Sequence, residues 1–320
     1  MEESKNHLSE QSTKGFAKST KDQKEKLNVY VWDMDETIIL LKSLLDGTYA
    51  KAFGGSKDVK RGEELGKMWE KEILDLCDHF FFYEQIENYN QPFLDALNEY
   101  DDGRDLSNYD FDQDGFGPPC DDVNKRKLAF RQRAITNKYR EGLRNIFDQQ
   151  KMKHWEELYE MTDVYTDRWF SSARAFLEEC SISDEPPHAS ADQTSNSNST
   201  SSQHVNILVT SGALIPSLVK CLLFRLDHLI TPGNVYSSWE VEKVQCFKWI
   251  KERFDKPNVR FCAIGNGWEE CEAAQSLKWP FVKIDLQPGS LHRFPGLSLK
   301  TIGFYFSVIY GNSDSSNDEE

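Results

Sequence analysis

The feature that most constrains this chain is a short apolar run, LNVYVW at 27–32, that stops at the cluster Asp33-Met34-Asp35-Glu36-Thr37. A run this rich in β-branched and aromatic residues, with no polar alternation, reads as a strand covered on both faces, the usual state of a strand in a parallel sheet. The acids then sit on the loop at its C-terminal end. The same pattern returns in the second half. Residues 205–209 (VNILV), 259–264 (VRFCAI) and 281–284 read as strands, and 301–309 is expected to be another. Between them lie segments of helix length: an apolar stretch at 214–229, and 241–254, which carries Val241, Val244, Phe247, Ile250 and Phe254 on one face. Strands alternating with helices predict an α/β fold, a doubly wound and mostly parallel sheet with helices on both sides.

The first strand is separated from the rest by a long helical region. Leu65, Met68, Trp69, Ile73 and Leu76 recur at helical spacing, as do Leu158, Met161, Tyr165, Trp169, Ala173 and Phe176, and the two stripes are expected to pack on each other. An acidic connection with Gly and Pro, 101–122, lies between them. The expected organisation is an α/β core from 27–47 and 204–310, with a helical cap inserted at 48–180 that folds over the crevice at the strand ends and restricts access to it. Composition adds a polar mobile tail at 1–26, a flexible Ser/Asn/Thr-rich linker at 181–203 and an acidic end at 311–320.

With 53 acidic against 38 basic residues the formal charge is -15, which argues against direct binding of nucleic acid or anionic lipid. No run approaches the roughly 18 apolar residues needed to cross a bilayer, and the N-terminus has no signal-peptide pattern. A soluble protein of the cytoplasm, the nucleus or both is expected. The seven cysteines show no CxxC pair and read as reduced, packed thiols.

Two carboxylates at i and i+2 beyond a buried strand do complementary work only if something separates their protonation states, and a divalent cation would. Beside Mg2+, Asp33 would stay ionised as a nucleophile while Asp35 protonates a leaving group. Alone, the pair fits an acidic turn after a strand better. It is followed, however, by Val209-Thr210-Ser211-Gly212 at a second strand end, by Lys243 ahead of an amphipathic helix, and by Ile264-Gly265-Asn266-Gly267-Trp268-Glu269-Glu270 at a third strand end. In an open parallel sheet these ends converge on one crevice. There Thr210 would hydrogen-bond phosphoryl oxygens, and Lys243 would neutralise both the phosphate and the nucleophile. Taken singly, Thr210 is an ordinary strand-end hydroxyl and Lys243 a solvated helix residue. Only their joint order points to phosphoryl chemistry.

The segment VYVWDMDETIILLKSLLDGTYA resembles the first motif of the Eyes-absent phosphatases, an aspartate-based branch of the haloacid-dehalogenase superfamily. LSNYDFDQDGF, KLAFRQRAI, NILVTSGALIPSLVKCLL, GNVYSSWEVEKVQCFKWI and AIGNGWEECEAAQSLKWPF resemble that family's catalytic domain in order and spacing across 28–310. No counterpart of the animal proteins' long N-terminal regulatory region is expected. The resemblance implies a magnesium-dependent protein tyrosine phosphatase working through an aspartyl-phosphate. In it Asp33 is nucleophile and metal ligand, Asp35 is acid/base with its carbonyl a further ligand, and Thr210 and Lys243 bind phosphate. The implied substrate is a phosphotyrosine protein, and a transcription-factor partner is a further implication. One position departs from the pattern: Asn266 stands where the family places a metal-binding aspartate. An oxygen without the charge is expected to weaken magnesium binding by about tenfold or more. Glu270 would return charge from behind the ligands, with Glu269 a weaker substitute. Asn266 also favours a second reading, a protein-interaction module or transcriptional co-regulator that keeps the fold with weakened catalysis.

Two other motifs are expected to carry no chemistry. Cys120 and Arg126 satisfy C-x5-R, but Asp121 and Asp122 would repel phosphate from such a cradle. Asp110, Asp112, Asp114 and Gly115 imitate the start of a calcium loop, but position twelve is Asp121 rather than Glu and Pro118-Pro119 interrupts the exit helix. A solvated acidic loop is expected there.

Overall fold

The computed structural model describes residues 26–181 and 202–311. The expected tail, linker and acidic end lie outside these residues except at their edges, where Lys26, Ser202 and Gln203 are already in strands. Five strands, β1 (Lys26–Trp32), β2 (Ser202–Thr210), β3 (Val235–Ser237), β4 (Val259–Gly265) and β5 (Phe281–Lys283), form one sheet in the order β3-β2-β1-β4-β5. Every pairing is parallel. The order reverses at β1, so the crevice opens between the C-terminal ends of β1 and β4. The central position of β1 explains its unbroken apolar run: successive side chains point to opposite faces and both faces are covered.

Val29, Val31, Ile207, Val209 and Ala263 face one layer, made by α9 (Lys243–Arg253) and α10 (Trp268–Leu277). Tyr30, Trp32, Leu208, Cys262 and Ile264 face the other. There they meet α8 (Leu214–Leu223), α11 (Leu299–Tyr310) and the inserted helices. After α1 (Lys42–Leu45) the insertion runs through α2 (Thr48–Ala52), α3 (Val59–Phe80), α4 (Tyr83–Ile86), α5 (Asp122–Glu141), α6 (Gln149–Tyr165) and α7 (Trp169–Glu179).

The two helical stripes meet as expected. Trp69 of α3 donates to Thr162 of α6 at 2.9 Å and packs on Phe224, as does Phe170 of α7. These helices share one hydrophobic core with the sheet face, and Trp169 Nε1 donates to the Thr37 carbonyl at 3.1 Å. At the strand ends the insertion reaches the mouth through Asn90, which donates to Ser237 and accepts from the Leu214 amide, and through the Pro92 carbonyl, which accepts from the Ser237 amide.

Four local expectations differ from the structure. Residues 301–309 belong to helix α11, not to a strand. Its apolar composition suits either, but Ile302 and Phe306, one turn apart, are buried while Phe304, Val308 and Ile309 are exposed, which is helical burial. The stripe from Leu158 to Phe176 is two helices, broken at Asp167 and Arg168 with φ of 57° and 64°. Asp163 secures the break by accepting from the Ser171 amide at 3.0 Å, and Met161 is an exposed member of the stripe. Strand β3 has no counterpart among the expected elements, because three residues are too short to show a period. In the acidic connection Asp110 and Asp112 are exposed, but Asp114 is not solvated. It forms a two-pronged ion pair with the buried Arg131, at 2.8 and 3.2 Å, and the same guanidinium lies 4.3 Å over Phe116. An arginine buried on α5 needs such a partner, and the loop folds around it.

Candidate active site

The acidic cluster divides by role. Backbone bonds from the Ile38 and Ile39 amides to the Met34 carbonyl close a tight turn after β1. Glu36, at φ 61°, serves this turn and the start of α1: one carboxylate oxygen accepts from the Leu41 and Ser43 amides, both at 3.1 Å. Asp33 is held against β4, its amide donating to the Ile264 carbonyl at 2.9 Å. Its side chain is buried and accepts on both oxygens, from Lys243 Nζ at 2.7 Å and from the Thr37 hydroxyl at 2.9 Å. Lys243, the first residue of α9, also bonds Glu270. Glu270 in turn accepts from the Gly267 amide at 2.8 Å, capping α10.

Gly265 permits this crowding. A Cβ there would lie 2.7 Å from Glu270 Cγ and 3.1 Å from Asp33 Cβ. Two carboxylates and one ammonium are therefore packed together almost without water. Burial pushes Asp33 up to about 6; Lys243 counteracts this and Glu270 adds to it. Burial opposes the charge on Lys243, but Asp33 and Glu270 outweigh it and hold its ammonium above the ordinary value.

The other expected residues lie at the neighbouring strand ends and in the loops that follow them. Thr210 ends β2 fully buried, and its oxygen accepts from the Gly212 amide at 3.1 Å, which leaves the hydroxyl proton to donate elsewhere. Asp35 does not join Asp33. Both its oxygens accept from Lys220 Nζ, at 2.8 and 2.9 Å. Asn266, half-buried just past β4, makes no hydrogen bond to either aspartate among the described residues. Glu269 is exposed and accepts from Ser211 at 3.2 Å, bridging the loops after β2 and β4. Cys120 is exposed, and Arg126 lies within α5, whose first turn is capped by Asp121, so no anion cradle exists between them.

Sequence reasoning missed Lys220 and Thr37. Lys220 is the single charge in the apolar helix LIPSLVKCLL, a residue that must find a partner, and this was the available signal. Thr37 gave none beyond its position four residues after Asp33.

For a cation, the donor set suits Mg2+. Asp33 and Glu270 share one ammonium and leave a net negative charge, and the Asp35 carbonyl and the Asn266 amide oxygen are hard, neutral donors. No group of three or more His, Cys, Asp or Glu that could hold a metal occurs among the described residues, so a cation here would rest on few carboxylates.

Fold and site define the class: a doubly wound parallel α/β protein of the haloacid-dehalogenase type, with an aspartate at the end of its central strand. No family model matches the chain. It is, however, 65% identical over 294 residues to a protein phosphatase EYA of Arabidopsis thaliana, covering 92% of this chain and 94% of that protein. It is 32% identical to the human protein phosphatase EYA2 over 272 residues and to the Drosophila melanogaster protein phosphatase eya over 275. Each alignment covers 80% of this chain but only 47% and 33% of the respective relative. The chain belongs to the Eyes-absent family of protein phosphatases and spans less than half the length of these human and Drosophila relatives.

Proposed function

We propose that this protein is a magnesium-dependent phosphatase that hydrolyses phosphotyrosine in proteins through an aspartyl-phosphate on Asp33. The observation that carries the proposal is the buried Asp33, fixed by Lys243 and Thr37 where three strand ends converge. In the first step an Asp33 oxygen attacks phosphorus while the phenolic oxygen leaves and takes a proton from Asp35. In the second, Asp35 removes a proton from water, which attacks the phosphoryl group and releases Asp33. Lys243 and the Thr210 hydroxyl stabilise the charge on the phosphoryl oxygens. Asp33, the Asp35 carbonyl and Asn266 would hold Mg2+, which supplies further neutralisation of that charge when bound. For either proton transfer Asp35 must exchange one Lys220 contact for substrate or water, so Lys220 acts as its rest position.

A transcription-factor partner, implied by the family resemblance, and a place in the cytoplasm or nucleus, expected from the sequence, are part of this proposal. No helix among the described residues is long and apolar enough to cross a membrane. The test is hydrolysis of an aryl phosphate with Mg2+ and after chelation. Turnover should vanish on chelation and fall by about 1,000-fold or more in Asp33→Asn, whose amide cannot attack phosphorus. Cys120→Ser should keep wild-type turnover. Chelator-resistant turnover, or an active Asp33→Asn, refutes the mechanism.

A further inference from the structure

Of the protein's eight tryptophans, Trp32, Trp69, Trp155, Trp169 and Trp279 are buried and Trp249 is half-buried. The remaining two, Trp239 and Trp268, are 64% and 71% exposed. Both line the same cleft, a cavity of about 560 Å³ whose wall includes Lys243, the partner of Asp33. Leaving two indoles in water sacrifices burial that such side chains normally provide, and exposed apolar surface beside a polar site marks a contact surface.

Neither tryptophan sits on loose chain. The Trp239 amide donates to the Ser237 hydroxyl at 3.3 Å, and that hydroxyl donates to the Gly212 carbonyl at 2.7 Å. The adjoining Ser238 amide donates to the Thr210 carbonyl at 2.8 Å. Trp268 opens α10 directly behind the Gly267 amide that Glu270 caps. The two rings are therefore mounted on backbone tied to the end of β2 and to Glu270, so presenting them costs little ordering.

The charge of the cleft is one-sided. Glu242, Glu269 and Glu272 line it with the tryptophans and are exposed. The one lysine in the wall is already committed to Asp33 and Glu270. Beyond Lys243, this surface repels anions and attracts cations.

We propose that Trp239 and Trp268 grip the peptide segment of the substrate, and that the segment recognised carries lysine or arginine beside the phosphorylated tyrosine. The inference rests on the phosphatase reading of the same site and adds the substrate class to it. The phenyl ring and the alkyl stems of basic side chains pack on the indoles, and their charges face the three glutamates.

The test compares two phosphotyrosine peptides of equal length, one flanked by Lys and Arg and one by Glu and Asp, with phenyl phosphate as the substrate that lacks a peptide. At low salt the basic peptide should have a kcat/KM about tenfold or more above the acidic one, and salt should narrow the gap. In Trp239→Ala and Trp268→Ala, kcat/KM for the basic peptide relative to phenyl phosphate should fall by about three- to tenfold each, the effect of losing one aromatic contact. Trp239→Phe and Trp268→Phe, which keep an aromatic face, should retain most of it. Glu242→Gln with Glu272→Gln should shrink the basic preference without abolishing the aromatic one. Equal use of the two peptides, or a preference for the acidic one, overturns the proposal. So does an unchanged ratio in both alanine variants, including the case in which they only dissociate a dimer and so mark a self-association face. If no substrate turns over, the phosphatase reading fails on its own. Quenching of tryptophan fluorescence by the basic peptide, lost in the double alanine variant, then still decides this inference.

Discussion

Gly265→Ala tests the packing logic of the site with a single methyl group. Gly265 is not in the left-handed region, so alanine can adopt its backbone without strain; the cost is steric. The new Cβ would stand 2.7 Å from Glu270 Cγ and 3.1 Å from Asp33 Cβ. Carbon atoms not bonded to one another prefer about 3.5–4.0 Å, so the two carboxylates must move apart by something approaching an ångström. Overpacking of this kind costs about 1–3 kcal/mol. For a domain of this size that corresponds to a fall in Tm of roughly 2–6 °C. Activity should suffer more than stability. A displacement of about 1 Å in a positioned reacting group can cost on the order of 100-fold in rate, and Asp33 is both the group displaced and the proposed nucleophile. The assay pairs thermal unfolding with aryl phosphate turnover at saturating Mg2+. Gly303→Ala is the control, because a Cβ there meets nothing within 4 Å and α11 should gain up to about 1 kcal/mol from it. Gly265→Ala with wild-type turnover would refute the view that close approach of Asp33 to Glu270 matters.

Asn266→Asp should lower the magnesium concentration for half-maximal activity by about tenfold if Asn266 is a ligand. Glu270→Gln should act differently, through turnover and Tm, because both Glu270 oxygens are already engaged by Lys243 and the Gly267 amide; a magnesium titration that moves in neither variant places the metal elsewhere. Lys220→Met should lower kcat with little change in KM, since it releases Asp35 from its fixed position, and Lys220→Arg should restore part of the loss; a pure KM effect would count against the acid/base role of Asp35. Asp114→Asn leaves Arg131 buried and partly unpaired, and should cost about 3–5 kcal/mol in unfolding titrations. Burial opposes the Asp114 charge, but Arg131 and the Tyr109 hydroxyl outweigh it and hold the carboxyl below the usual carboxylate value. The stabilisation is therefore complete above the ordinary aspartate value and is lost as pH falls through the depressed one, so the Tm gap between wild type and Asp114→Asn should close on acidification.

By itself the sequence determined the features that local pattern encodes. The unbroken run at 27–32 and its relatives at 205–209 and 259–264 declared strands buried on both faces, and their alternation with helices required a parallel sheet. That sheet in turn brought Asp33, Thr210 and Lys243 to one edge, because parallel strands all end on the same side. The inserted helices were legible too, since apolar stripes at 3.6-residue spacing persist over many turns. Short or ambiguous segments were not legible. Three residues of β3 cannot display a period, and the apolar run at 301–309 is compatible with helix or strand until the sheet offers it a face to cover.

Tertiary structure alone decided how the charges pair. Asp33 and Asp35 are two residues apart, but a tight turn sends one to Lys243 and the other to Lys220, 185 residues along the chain. Glu270 reaches Lys243 only because Gly265 has no side chain, and Asp114 leaves water only because Arg131 is buried opposite it. Hydrophobic pattern is written locally because each strand or helix must bury its own face. A buried charge is settled by whichever opposite charge the completed fold places within about 3 Å, and nothing in the spacing of the chain encodes that choice.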